Sequence, residues 1–168
     1  NILHYLAGEV DSVSSIASKL SPVGAEVDDQ SMTTVKFKNG ALGYVGSSWT
    51  SPGIFSVRAF CQKGLLHHEL DFSSWDKPEN LHKSSSLYIQ KGVDGFGLRE
   101  EIEIPPGNMF LDELDIFATA CRTKKLDELT AYQGNVAVAM VMAALKSIDE
   151  NGILISVDET LKKARESI

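Results

Sequence analysis

Hydrophobic and polar residues alternate along residues 31–38 and 41–49, and Asn39-Gly40 lies between these two segments. Alternation with a period of two is typical of a β-strand with one buried face. The Asn-Gly pair favours a two-residue type I′ turn, because both central positions of that turn need a positive φ. The pattern therefore predicts a β-hairpin centred on Asn39-Gly40.

The predicted turn also sets the register of the hairpin and assigns its two faces. Phe37 is expected opposite Leu42, and Val35 opposite Tyr44, on the core face. The other face is expected to stay open and to carry residues of the hairpin and of the strand after it: Thr34, Lys36, Gly43, Val45, Ser47, Trp49, Arg58 and Phe60. Because exposed aromatic side chains are mixed there with a few charges, this face has the composition of an interface.

Further strand patterns follow the hairpin. In the first of them Val57, Ala59 and Cys61 are expected to point into the core, which leaves Arg58 and Phe60 on the open face. These segments are separated by turn residues, and a glycine-rich stretch at 92–97 lies before the last of them. The predicted strands are residues 55–62, 65–72, 85–91 and 98–104, with a short strand at 153–157 near the end of the chain.

Helices dominate the last third of the chain. The Pro105-Pro106 pair cannot continue a strand ladder, and Asn108 is expected to cap a helix at residues 109–122. Its apolar stripe is predicted to be Phe110, Leu114, Phe117 and Cys121. A second helix at 131–149 is apolar almost all round, which predicts burial on two sides. A final amphipathic helix is expected to be capped by Asp158.

Strands first and helices last predict an α+β fold: one predominantly antiparallel sheet of about six or seven strands, with helices on one face and the other face open. The 168 residues are enough for one domain with its own core. Residues 1–8 are interpreted as a helix of about two turns closed by Gly8, which is too short to be stable without packing. This segment has the character of the tail of a longer helix.

Composition narrows the possible partners and the compartment. The chain has 16 basic and 23 acidic residues and a net charge of -7, which argues against nucleic acid and anionic membranes as partners. The longest apolar run, residues 136–145, is about half the roughly 20 residues that span a bilayer. The first residues lack the pattern of a signal peptide. Cys61 and Cys121 form no metal or disulfide pattern and are interpreted as small buried hydrophobes, so a cytoplasmic location is expected.

Three features could carry chemistry, and each has a structural alternative. Asp28-Asp29 could be an acid/base pair, but adjacent strand residues point to opposite faces, and one of the two is expected to be a turn carboxylate. His67, Glu69 and Asp71 share one strand face and could hold a metal, although a solvated edge is the commoner cause of such a pattern. The glycines at 40, 43 and 46 and those at 92–97 lack the strand-then-helix context of a dinucleotide fingerprint. No catalytic, cofactor-binding or metal-binding residue is assigned from these features.

Five segments, in one order, resemble the C-terminal domain of the Gfo/Idh/MocA oxidoreductases. "LHYLAGEVDSV" is similar to the helix, glycine and strand with which that domain begins, and "VDDQSMTTVKFKNGALGYVGSSW" to its strand hairpin. "FSVRAFCQKGLL" resembles the strand before a Lys-Gly turn, and "FLDELDIFATACRT" resembles the E-L-x-x-F helix. "TAYQGNVAVAMVMAALKSIDENGILISV" resembles the long helix with Ala-x-x-x-Ser, followed by a glycine and a strand. Together these segments cover almost the whole chain.

The resemblance implies a division of labour between two domains. The family joins an N-terminal Rossmann domain for NAD or NADP to a C-terminal α/β domain, and it oxidises or reduces sugars, cyclitols and related hydroxy compounds. Its cofactor glycines and catalytic lysine lie in the N-terminal domain. Its Asp-x-x-x-His motif lies just before the helix in which Asn1 stands, at a position three residues after that histidine. The resemblance therefore gives no catalytic or cofactor role to any residue of this chain.

These arguments lead to one interpretation. Residues 1–168 are expected to be a single C-terminal domain that lacks its dinucleotide-binding domain, lines the substrate pocket and forms a homo-oligomer through the open sheet face. The full-length enzyme would use NAD or NADP, whereas this chain alone would bind neither and would be inactive. The alternative is a free-standing binding or assembly module without redox chemistry.

Overall fold

The computed structural model describes residues 2–24, 26–53, 55–92, 97–125 and 130–166. The chain forms two compact units, one made of Asn1–Ser51 and Leu126–Ile168 and the other of Pro52–Lys125. The elements, in chain order, are α1 (Ile2–Ala7), β1 (Val10–Ser18), β2 (Gln30–Phe37), β3 (Leu42–Ser48), β4 (Phe55–Cys61), β5 (Gly64–Leu70), two 3₁₀ helices (Phe72–Ser74 and Pro78–Lys83), β6 (Ser85–Lys91), β7 (Arg99–Glu101), α2 (Met109–Thr123), α3 (Ala131–Asp149), β8 (Ile155–Ser156) and α4 (Val157–Glu166).

The described strands form two four-stranded sheets, in the orders β3-β2-β1-β8 and β4-β5-β6-β7. Every strand pair in them is antiparallel, so the predicted α+β class with antiparallel pairing is confirmed. The prediction of one sheet with six or seven strands needs correction, because the strands divide between two sheets. Pro52 and Gly53 lie between β3 and β4, and β4 pairs with β5 rather than with β3, so it does not continue the hairpin as a third strand of the same sheet.

Strand β1 was not predicted from the hydrophobic pattern. Its alternation is broken by an irregularity in the pairing with β2 between Val10 and Ser12. Two of its serines, Ser12 and Ser15, are buried at positions where a core strand would be expected to carry apolar side chains. Ser15 is satisfied there, because its N–H donates to Ser147 Oγ at 2.9 Å and its hydroxyl lies 2.7 Å from that of Thr33.

The hairpin forms at the predicted place, but its register is one residue from the predicted one. The loop has three residues rather than two, since the N–H of Phe37 donates to Ala41 O at 2.9 Å and that of Gly40 to Phe37 O at 3.0 Å. Gly40 has a φ of 88°, which fits the three-residue loop that ends in a left-handed residue. A register shift of one residue turns every side chain of β3 to the opposite face.

The predicted core pairs Phe37 with Leu42 and Val35 with Tyr44 are therefore wrong. Val35 lies opposite Gly43 instead. The Phe37 ring packs against Gly43 so closely that a Cβ added there would lie only 3.2 Å from a ring carbon. Leu42 and Tyr44 share the outer face with Thr34 and Lys36, and their side chains are 81% and 68% exposed. Val45 and Ser47, expected on the open face, pair with Thr33 and Ser31 of β2 and belong to the other side of the sheet.

The core of the first unit lies between its sheet and α3. It consists of Val10, Val13, Val35, Phe37, Ala139, Ala143, Ile155 and Val157. The predicted bounds of α3 are confirmed, and its first turn is fixed by a capping box between Thr130 and Gln133. Burial on two sides is not observed, because the buried residues of α3 lie on one face and Val138, Val141, Met142 and Leu145 are exposed.

The other helices show what capping signals predict well and what they do not. Asn108 caps α2 as expected, and its side chain accepts from the N–H groups of Phe110 and Leu111. The predicted apolar stripe of α2, including Cys121, is exposed, as is Cys61, so the interpretation of both cysteines as buried is wrong. Gly8 ends α1 with a φ of 89°. The hydroxyl of Ser156, rather than the Asp158 carboxylate, accepts from the N–H of Glu159 in the first turn of α4.

In the described parts of the chain, no helix combines the length and hydrophobicity needed to cross a membrane.

Candidate functional site

One face of the second sheet contains a concavity of about 290 Å³. All four strands of this sheet contribute to it. The lining residues are Arg58 and Phe60 of β4, Leu65 and His67 of β5, Tyr88 and Gln90 of β6, and Arg99 of β7. The concavity therefore belongs entirely to the second unit.

The strand register explains why these side chains meet. Arg58 lies opposite His67, which lies opposite Tyr88, and together they form one row across three strands. The neighbouring row runs from Phe60 through Leu65 and Gln90 to Arg99. Residues two apart on a strand share a face, so the two rows are adjacent. One row is mainly polar, and the other begins with two apolar residues and ends with a guanidinium group.

His67 is the buried centre of the site, with 8% of its surface exposed. Its Nε2 lies 2.9 Å from Glu69 Oε1, and its Nδ1 lies 3.2 Å from Arg99 Nη2. A carboxylate only accepts and a guanidinium only donates, so the role of each ring nitrogen depends on the tautomer of His67. Arg58 Nε–H donates to the same Nε2 at 3.3 Å.

Arg99 is held in place from two sides. Its guanidinium carbon lies 3.9 Å from the centre of the Tyr88 ring, and Nη2 donates to His67. Stacking on an aromatic face suits the flat, weakly hydrated guanidinium. Among the residues that the structure describes, neither Arg58 nor Arg99 forms an ion pair with a carboxylate. The site therefore presents two guanidinium groups whose charges are not paired within the described chain.

The neighbouring His68 points to the opposite face of β5, where its ring meets that of Phe55 edge-on at 6.3 Å between centres. Burial lowers the pKa of His68, since taking the imidazolium out of water disfavours the charged form, and the adjacent His67 lowers it further. His68 is therefore more readily neutral than an exposed histidine, and it lies outside the concavity.

The structure brings together only part of the proposed metal set. His67 and Glu69 are in contact, but Asp71 accepts from the N–H of Ser73 at 2.8 Å and caps the first 3₁₀ helix. No group of three His, Cys, Asp or Glu side chains with metal-binding geometry occurs in the described ranges. The histidine lies beside two arginines, and such cationic neighbours disfavour a metal cation there.

Asp29 is the turn carboxylate that was expected within Asp28-Asp29. It is 2% exposed, and its carboxylate accepts from the N–H groups of Leu20 at 3.0 Å and Ser21 at 2.5 Å. Asp28 is exposed, and its carbonyl accepts from the indole of Trp49 at 3.0 Å. Trp49 therefore lies just beyond β3 and is not one of its open-face side chains. The two carboxylates have separate structural surroundings and do not form an acid/base pair.

The glycines do not fit a nicotinamide cofactor. Gly40 lies in the hairpin loop, and Gly43 and Gly46 lie on β3, whereas a pyrophosphate needs a glycine turn that leads from a strand into a helix N-terminus. Within the described chain, β8 is followed directly by α4 at Val157, without a glycine turn between them. Of the second glycine-rich segment, residues 93–96 lie outside the described residues, as does Asn1.

Sequence reasoning placed Arg58 and Phe60 on one open face with the hairpin residues, whereas the structure has them on the second sheet beside Tyr88 and Arg99, which the sequence did not identify as their neighbours. The available signal was the alternation of Tyr88 and Gln90 on β6, which puts both on one face. Finding Arg99 required the pairing of β7 with β6, and β7 has only three residues.

Comparison with known proteins identifies the fold. A sequence profile described as the GFO/IDH/MocA C-terminal domain matches residues 1–67, which confirms the resemblance seen in the sequence. No curated protein matches this chain in sequence. Similar folds are found in solved structures. One is a candidate NADPH-dependent oxidoreductase from Desulfitobacterium hafniense, with a TM-score of 0.84, 24% identity and 94% of this chain covered.

Two further structures have the same fold at lower identity. Levoglucosan dehydrogenase in complex with NADH and L-sorbose has a TM-score of 0.71 and 17% identity over 93% of this chain. The aldose-aldose oxidoreductase of Caulobacter crescentus, complexed with glycerol, has a TM-score of 0.73 and 21% identity over 91% of this chain. The chain spans 45%, 47% and 43% of the length of these three proteins, respectively.

Proposed function

We propose that this chain, which has the fold of a Gfo/Idh/MocA C-terminal domain, is the substrate-pocket and oligomerisation domain of an NAD- or NADP-dependent oxidoreductase. The substrate class would be a sugar, a cyclitol or a related hydroxy compound. One observation carries the proposal: the fold of 91% to 94% of this chain recurs within oxidoreductase structures, of which it spans less than half. A cytoplasmic location is part of the same proposal.

The chemistry of such an enzyme would be divided between domains. A nicotinamide cofactor supplies the hydride acceptor or donor when it is bound. The described residues of this chain offer no glycine turn to hold its pyrophosphate, so the chain's own part would be to shape the substrate pocket and to hold subunits together.

The first prediction is that the 168-residue chain alone does not bind NAD(H) or NADP(H). Calorimetric titration should give no binding tighter than about 0.1 mM, because no helix N-terminus in the described chain follows a phosphate-cradling turn. The matched control is the product of the whole open reading frame, which we expect to continue upstream into a GxGxxG strand-turn-helix and to bind a nicotinamide cofactor. Tight binding to the chain alone, or a reading frame without that segment, would contradict the proposal.

The alternative is a binding or assembly module without redox chemistry, and two surfaces favour it. The outer face of the first sheet carries exposed apolar side chains, and the second sheet carries the cationic concavity. Neither surface needs a nicotinamide cofactor. A reading frame that encodes no dinucleotide-binding domain would select this alternative.

Oligomerisation is proposed through the outer face of the first sheet. We define this face by Ile16 of β1, Met32 of β2, and Leu42 and Tyr44 of β3, which are exposed by 64%, 56%, 81% and 68%, respectively. The pairing places Ile16 opposite Met32. Leu42 and Tyr44 are two residues apart on β3, next to β2, and therefore share this face. Exposed apolar side chains clustered on one sheet face are typical of interaction surfaces.

A further inference from the structure

The second sheet carries two guanidinium groups that line one concavity without a carboxylate partner among the described residues. Among the described residues, Arg58 donates to His67 Nε2 through Nε, a contact that does not use its two terminal amino groups. Arg99 uses Nη2 for His67 and rests on Tyr88. Within the described chain, the lining of the concavity has two guanidinium groups and no carboxylate, which suits an anionic ligand.

His67 keeps Arg99 in position. Its Nε2 lies 2.9 Å from Glu69 Oε1 and its Nδ1 lies 3.2 Å from Arg99 Nη2, so contacts on both ring nitrogens fix the ring beside Arg99. Because this histidine is buried, its orientation is set by packing as well as by these contacts. Glu69 itself does not line the concavity, and its charge is directed at His67. The lining therefore has two positive charges and no negative one.

The shape and the apolar part of the lining restrict the ligand. A volume of about 290 Å³ is at the small end of ligand pockets, which usually hold roughly 300 to 1,000 Å³. Phe60 and Leu65 form the apolar end of one row, and Arg99 closes its other end. Arginine recognises planar carboxylates with two parallel hydrogen bonds. A small ligand with a carboxylate at one end and an apolar body at the other fits both features.

We propose that the concavity formed by Arg58, Phe60, Leu65, His67, Tyr88 and Arg99 is a binding site for a small monocarboxylate with a short apolar or aromatic body. The two guanidinium groups bind the carboxylate, and Phe60 and Leu65 contact the body. His67 acts as a positioning residue for Arg99. The site lies within the second unit and does not depend on the proposed redox function.

Calorimetric titration of the purified chain with benzoate tests the site, with benzamide and inorganic phosphate as comparison ligands. Benzamide has the same shape without the charge, and phosphate has the charge without the apolar body. The variants are Arg58→Gln and Arg99→Gln, together with Arg99→Lys, which keeps the charge but loses the planar fork. Arg122→Gln is the matched control, because it removes the same charge from an exposed position on α2 where Arg122 contacts Thr119.

The expected result is one benzoate per chain, with weaker binding of benzamide and of phosphate. Each glutamine variant should weaken benzoate binding at least about tenfold, because a charge-assisted hydrogen bond is lost, and Arg122→Gln should leave it unchanged. Circular dichroism checks that each variant is folded. Absence of benzoate binding, equal binding of benzamide, or equal loss in Arg122→Gln would overturn the proposal. A loss of self-association in the Arg58 or Arg99 variants, without benzoate binding by the wild type, would overturn it by assigning the arginines to a second copy.

Discussion

At the scale of single residues, Asp29 shows how a buried carboxylate stabilises a loop. It accepts hydrogen bonds from the N–H groups of Leu20 and Ser21, and these bonds lower the pKa of Asp29, since they favour the ionised form. The N–H of Asp29 in turn donates to Ser18 O at 3.1 Å, and its carbonyl accepts from the N–H of Trp49. One residue therefore connects the end of β1 to the residue that follows β3.

A pH prediction follows from the direction of this shift. A carboxyl group whose pKa is lower in the folded state stabilises the fold above its unfolded value of about 3.9, and this contribution is lost as the pH falls through the lower folded value. Asp29→Asn should therefore lower the urea midpoint at about pH 7, and the difference from the wild type should shrink towards about pH 3. Asp28→Asn, at the exposed neighbour, is the control. A constant difference between Asp29→Asn and wild type across this range would show that the charge is unimportant.

At the scale of elements, the β2–β3 hairpin depends on one glycine in a left-handed conformation. Gly40 has a φ of 88°, and no heavy atom lies within 4 Å of the point that a Cβ would occupy, so a side chain there meets strain but no clash. Gly46 on β3 also has open space but no such conformation. Gly40→Ala should destabilise the chain by about 1 kcal/mol, whereas Gly46→Ala should be neutral or slightly stabilising. Urea unfolding of both variants measures the difference, and equal effects would contradict the left-handed conformation of Gly40.

The same hairpin shows which of its features the sequence predicts and which it does not. Asn39-Gly40 located the turn, but a two-residue and a three-residue loop both accept it, and the choice decides which face of β3 is buried. The decisive fact is tertiary: Gly43 leaves room for the Phe37 ring. Helix ends were predictable because caps are local, as at Asn108. Strand β1 was not predictable from the hydrophobic pattern, because the buried Ser15 is polar. Its N–H is satisfied by Ser147, 132 residues later in the chain.

The candidate site was predictable only in part for a related reason. His67 and Glu69 are close in sequence, so their contact follows from strand alternation. The contact between His67 and Arg99 depends on two strand pairings and spans 32 residues. The sequence signal for β7 is three residues long, which is too short to define a register. The contact between His67 and Glu69 was predictable from the sequence, whereas the positions of Arg58 and Arg99 beside His67 were not.

At the scale of the whole molecule, the outer face of the first sheet carries exposed apolar side chains that the described residues of its unit do not cover. An isologous dimer would cover this face with the same face of a second copy, so each exposed side chain would be buried in both subunits. Lys36 lies on the same face but forms an ion pair with Asp11 at 3.3 Å, so its charge is already compensated. The face is therefore suited to burial against another apolar surface.

The final prediction tests this face with Leu42→Glu/Tyr44→Glu. Both side chains are exposed in the chain itself, so the double variant should stay folded, while two unpaired carboxylates in an interface should cost several kcal/mol of association free energy. Light scattering should give an oligomer for the wild type and a monomer for the variant. Leu98→Glu is the control, because Leu98 is 85% exposed but belongs to the second unit. A monomeric wild type at high concentration, or a variant that keeps the oligomeric mass with an unchanged circular dichroism spectrum, would remove this face from the assembly.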